Sequence, residues 1–199
     1  MSAVKTLREQ IADQLRNEIL SKQHAPESRL REVQLAARFG TSRGPVRDVF
    51  LQLAQEGVLV YRPNAGVTVS PATDDGTRAL LMGLRKQIEF HALPRFLKNL
   101  TEEQASAMRD ILDEMEGACR RKNMPDIVGS DIALHRYVVR HGATAEVEKV
   151  WLNIAVRILM NYSRLPDYVD IHKEHVRMVD AICSKNLKAS RAALEANLI

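Results

Sequence analysis

Leu7, Ile11, Leu15 and Ile19 recur at four-residue steps in LREQIADQLRNEIL. That spacing predicts a first helix carrying one apolar stripe. The polar stretch QHAPES ends it, and Leu35, Ala36 and Phe39 mark a second, short helix from about Leu30 to Phe39, stopped at Gly40. Glycine suits the left-handed backbone that closes a helix. A third helix starts near Ser42, a suitable N-cap, with Pro45 in the first turn, where its missing N–H costs nothing. Val46, Val49, Phe50 and Leu53 give this helix its buried stripe, up to Gly57. The β-rich runs VLVY and VTV then flank RPNAG, whose Pro, Asn and Gly favour a hairpin loop. Three helices and a hairpin within residues 1–70 predict a winged helix-turn-helix.

The polar, Pro- and Gly-bearing stretch SPATDDGT marks a linker, placed at residues 71–77. Residues 78–199 read as helix throughout, with breaks at Pro94 to Thr101, Asn123 to Pro125, Gly142 to Thr144, Leu165 to Asp167 and near Asn186. TEEQ, Thr101 to Gln104, fits a capping box and sets one helix start. The fold class is therefore mainly α: a winged helix-turn-helix followed by an all-helical bundle.

Composition changes this picture little. Of 199 residues, 45% are apolar and 27% charged, as in an ordinary globular chain. The N-terminal MSAVKTLREQ lacks the apolar core of a signal peptide, and no run approaches the roughly 20 apolar residues of a membrane span, so a cytoplasmic protein is expected. Cys119 and Cys183 lack metal-ligand or redox spacing and are expected as buried free thiols. Charge is uneven: residues 1–70 carry 10 basic and 7 acidic side chains, whereas 71–199 are nearly balanced. The surplus leans toward an anionic partner in the first third.

Candidate chemistry falls at two places. Arg43 and Arg47 stand one turn apart at the start of the third helix, opposite its buried stripe. A helix enters the DNA major groove by such an end, and arginine grips guanine O6 and N7 bidentately. Ser42 and the first-turn N–H groups suit a phosphate, and the hairpin tip, Arg62, Asn64 and Gly66, would lie along the neighbouring groove. In the second half, Asp131 and His135 of DIALH share a helix face, and EHVRMVDAI adds His175 on a later helix. A carboxylate and two imidazoles can hold one divalent ion; a solvated or hydrogen-bonded Asp/His pair is the alternative.

The run LAARFGTSRGPVRDVFLQLAQEGVLVYRPNAGVTV resembles the DNA-binding signature of GntR-type bacterial transcription regulators. That resemblance implies operator contacts from Arg43 and Arg47, assisted by Ser42 and the wing. Two positions depart from the pattern: Glu27 stands where a glycine commonly follows the proline, and Val33 where many relatives carry a basic residue. LRKQIE, DIALH and EHVRMVDAI resemble the FCD ligand-binding domain of the FadR-like branch. The resemblance implies a divalent metal, zinc, nickel or manganese, on Asp131, His135 and His175, and a small carboxylate effector met by Arg85. A further histidine usually follows; the corresponding residue is Asn197, a poorer zinc ligand, placed with the effector-binding group. The function expected is a homodimeric regulator that binds double-stranded operator DNA and senses a small organic acid. A metal-dependent hydrolase, or a regulator with a metal-free dimerisation domain, stays open at this point.

Overall fold

The computed structural model describes residues 5–62, 66–160 and 168–198. The winged helix contains α1 (Leu7–Leu20), β1 (Arg29–Leu30), α2 (Glu32–Arg38), α3 (Arg43–Gln55), β2 (Leu59–Arg62) and β3 (Gly66–Val69). Thr6 opens α1 with a complete capping box to Glu9. The antiparallel sheet has the order β1-β3-β2, with Leu30 opposite Val67 and Tyr61 opposite Val67 from the other side. The short strand β1 corrects the expected second helix, which starts at Glu32. Leu30 pairs its backbone with β3 and buries its side chain beneath the sheet. Leu7 corrects the stripe of α1: it is 53% exposed in the first turn, whereas Ile11, Leu15 and Ile19 are buried.

The helical domain follows as α4 (Asp75–Asn99), α5 (Glu102–Arg121), α6 (Met124–Gly142), α7 (Ala145–Leu159), α8 (Tyr168–Cys183) and α9 (Leu187–Asn197). Thr101 and Gln104 form the anticipated capping box, and Asn123, Thr144 and Asn186 cap α6, α7 and α9. Pro94, expected to break the chain, lies inside α4. Its ring removes one helical hydrogen bond, yet Leu93, Phe96 and Leu97 around it are buried, and packing holds the helix through the defect. The break expected at Leu165 to Asp167 lies outside the described residues. Cys119 is buried and Cys183 half-buried, both as free thiols.

Among the described residues, two apolar clusters form the core. One runs from Ile11, Val46, Phe50 and Leu53 of the winged helix into Ile132, Trp151, Leu152 and Val156 of the helical domain. The other joins Phe96, Met108, Met115, Leu134, Met178 and Ile182. The winged helix is therefore seated on α6 and α7 by continuous apolar packing. Close approach also fixes α4 on α6: a Cβ on Gly142 would overlap the backbone carbonyl of Ala92.

Candidate nucleic-acid interface and candidate metal centre

The buried stripe of α3, Val46, Val49, Phe50 and Leu53, faces the core, which turns Arg43 and Arg47 outward. Their side chains are 62% and 52% exposed. Neither is free-swinging. Arg47 donates from Nε and Nη2 to the two carboxylate oxygens of Glu32, both at 3.0 Å, and Arg43 donates to Glu32 Oε2 from Nε at 3.3 Å and Nη2 at 3.1 Å. The paired guanidinium groups hold the Glu32 carboxyl below its usual range. Ser42 occupies the N-cap position with an extended backbone, but its hydroxyl makes no capping bond and is exposed. Arg62 is exposed at the end of β2, opposite Gly66. The guanidinium of Arg29 lies over Gly66, adding a cation beside the hairpin that the sequence pattern did not single out. Asn64 lies outside the described residues. Val33, the departure noted in the second helix, is 62% exposed and leaves an apolar spot on that surface. Glu27 adopts φ +64°, the left-handed region that glycine enters without strain.

In the helical domain the fold brings Asp131, His135 and His175 together, with ligating atoms all within 4.8 Å of one another. Each imidazole is oriented from behind. His135 Nδ1–H donates to Glu89 Oε2 at 2.8 Å, and His175 Nδ1–H donates to the Ile171 carbonyl at 2.8 Å. Both Nε2 atoms then turn inward: that of His175 is 2.9 Å and that of His135 3.8 Å from Asp131 Oδ1. Asp131 Oδ2 is buried and has no hydrogen-bond partner among the described residues. An orphaned carboxylate oxygen beside two backed imidazoles is a donor set that fits a divalent cation. Asn197 enters the same site, with Oδ1 2.7 Å from His135 Nε2.

The electrostatics agree. Burial alone would raise the Asp131 carboxyl, but the hydrogen bond from His175 and the charges of His135, His175 and Arg85 take it well below its ordinary range. Burial works against the His175 imidazolium, yet the Asp131 hydrogen bond and charge raise its pKa. Glu89, fully buried, is lowered to about 2, burial being outweighed by His135 and Arg85.

Glu89 ties the site together. Its Oε1 accepts from Arg85 Nε and from Trp151 Nε1, each at 2.8 Å. Arg85 is buried and paired with Glu89, and still lines the pocket. That pocket, about 70 Å³, is also lined by Arg78, Asp131, His175 and Asn197. Arg78 Nε is buried without a partner among the described residues. The sequence did not mark Arg78, Trp151 or the bond from Glu89 to His135, because nothing local links residues 46 positions apart. His141 donates Nδ1–H to the Tyr137 carbonyl within α6, while His91 is exposed and His172 half-buried, apart from the pocket lining.

A winged helix with two outward arginines, seated on an all-helical domain with a polar buried cluster, defines a two-domain DNA-binding regulator. Residues 7–69 match the gntR family of bacterial regulatory proteins, and residues 81–198 match the FCD domain. The chain belongs to the gntR family, in the form that carries an FCD domain. Its relatives include an HTH-type transcriptional regulator in an unstable DNA locus of Streptomyces ambofaciens, 29% identical over 201 residues, covering 98% of this chain and 83% of that protein. Another is the HTH-type transcriptional repressor RspR of Escherichia coli, 27% identical over 151 residues, covering 76% of this chain and 64% of that one. In fold it matches Escherichia coli McbR/YncC with a TM-score of 0.78 at 18% identity, covering 98% and 94% of the two chains. The family consists of transcription regulators that bind DNA and are not enzymes, which sets the hydrolase alternative aside.

Proposed function

We propose that this regulator, of the FadR-like branch, works as a homodimer on a palindromic operator and senses a small organic acid through a divalent metal held by Asp131, His135 and His175. The chain divides into a DNA-binding unit at 1–70, a linker at 71–77 and a sensing and dimerising unit at 78–199. It acts in the cytoplasm, where the bacterial chromosome lies. Arg43 and Arg47 read bases, with Ser42, Arg62, Asn64 and Gly66 on the backbone or the neighbouring groove. Two winged helices joined in one dimer gain affinity through effective concentration.

The observation carrying the sensor reading is the convergence of two rear-anchored imidazole Nε2 atoms on a carboxylate with an orphaned oxygen. A bound ion would supply Lewis acidity toward a carboxylate effector. The chain's own part is to hold the imidazoles in the ligating tautomer through Glu89 and the Ile171 carbonyl, to bring the Asn197 amide oxygen alongside, and to offer Arg85 and Arg78 to the acid. A ligand that binds only the folded state stabilises it by RT ln(1 + [L]/Kd). Adding zinc, nickel or manganese to chelator-stripped protein therefore raises its melting temperature, His135→Ala and His175→Ala abolish the rise, and Asn197→His enlarges it. Wild-type protein that carries no metal as purified and shows no shift refutes the metal reading. The metal-free alternative would then stand.

A further inference from the structure

We propose that Glu32 is a specificity-determining residue for DNA, acting as a positioning carboxylate that sets Arg43 and Arg47 for base readout. The inference rests on the DNA-binding reading of α3.

A carboxylate on the DNA-facing side of a binding module repels phosphate, so its presence there asks for a compensating role. An acidic side chain in the first turn of α2 gains from the helix dipole. That gain does not account for the geometry: Glu32, from another helix, engages both arginines at once, and Arg47 in a two-point pair. Each arginine presents its Nε/Nη2 edge to Glu32. A guanidinium has a second edge, formed by Nη1 and the remaining Nη2 hydrogen, and that edge grips guanine O6 and N7. Glu32 therefore occupies the edge that base reading does not need and leaves the other free. Both side chains are more than half exposed and would otherwise sample many rotamers. Fixing them before binding lowers the ordering cost on DNA and makes a displaced guanidinium at a wrong base harder to accommodate.

The rival reading is competition, in which Glu32 occupies the arginines until DNA displaces it. The two differ in sign. Duplexes selected from a random pool by the wild-type chain give the operator, and Kd for operator and for unrelated duplex is measured at one salt concentration for wild type, Glu32→Gln and Glu32→Ala. Positioning predicts that operator binding weakens roughly tenfold while binding to unrelated duplex holds or tightens, so that the specificity ratio falls at least as far. In an Arg47→Ala background, Glu32→Gln then adds little, because the two residues act as one unit. Operator affinity that is unchanged or tighter in both Glu32 variants, with the ratio intact, overturns the proposal. A wild-type chain that selects no duplex instead overturns the DNA-binding role of α3 itself. Melting curves confirm folding of each variant, and Glu32→Asp, which keeps the charge on a shorter arm, should lose specificity in the same direction.

Discussion

Arg157, on α7, donates from Nη1 to the Gly57 carbonyl at 3.2 Å and to the Pro71 carbonyl at 3.3 Å. Gly57 closes the third helix at φ +78°, and a Cβ there would press on the Arg157 side chain at 3.2 Å. One guanidinium thus holds the end of α3 and the start of the interdomain connection. The same helix α7 carries Trp151, which donates to Glu89, the residue that orients His135. The Asp131, His135 and His175 cluster and the end of α3 are therefore linked through one helix, α7. Arg157→Met should leave operator affinity and metal binding near wild type but shrink the effect of one on the other to within about twofold, against the 5- to 150-fold typical of allosteric coupling. Anisotropy titrations with stripped and metal-loaded protein check this; full coupling in the variant would exclude Arg157 from the route.

Glu89→Gln keeps an acceptor for His135 but removes the negative charge that backs both the imidazole and Arg85. Loss of such a backing carboxylate costs metal sites roughly 10- to 100-fold in affinity. Competition with a chromophoric chelator measures it, with metal affinity equal to wild type counting against the orienting role.

Gly142→Ala and Gly83→Ala should have opposite signs. Alanine is the better helix former by up to about 1 kcal/mol. At Gly83, exposed on α4 with nothing within 4 Å of the added methyl, that gain is realised. At Gly142 the methyl overlaps the Ala92 carbonyl, so α4 and α6 must part, at a cost of about 1–3 kcal/mol. Thermal melts of the two variants decide the matter, and a stabilised Gly142→Ala would show that the packing there is looser than described.

Acid should loosen the winged helix through Glu18 and Asp13. Burial would raise both carboxyls, but hydrogen bonds from Arg38, Gln14 and His24 to Glu18, and from Lys5 and Arg16 to Asp13, hold them below their ordinary 4.5 and 3.8. A depressed pKa means the unfolded chain takes up protons first, so the stabilisation is present above about pH 4.5 and is lost as pH falls through the folded values. Melting temperatures should drop below about pH 4.5, with a shallower acid slope and a lower neutral-pH value for Glu18→Gln. An unchanged acid slope would mean the Arg38 pair contributes no linkage.

Much of the fold was legible because it is written locally. The stripe Val46, Val49, Phe50 and Leu53 and the capping box at Thr101 each depend on residues a few positions apart, and both stand as expected. Pro94 misled because its local rule was overridden by burial of Leu93 and Phe96. The two-residue strand β1 escaped because it exists only by pairing with β3, almost 40 residues on. At the cluster, Asp131 and His135 were visible as a helical pair, whereas Glu89, Trp151 and Arg157 owe their roles to tertiary neighbours 46 to 100 positions away.

In the proposed regulator, the state of the Asp131, His135 and His175 cluster sets how the winged helices hold DNA. It is tested most directly by operator binding of one protein preparation, chelator-stripped and then reloaded with zinc, nickel or manganese, with and without a small dicarboxylic acid, beside His175→Ala. Loading should change the operator Kd at least about fivefold in the wild type and not in His175→Ala. Superimposable isotherms for stripped and loaded wild type, in protein whose melting temperature proves the metal is bound, would contradict it.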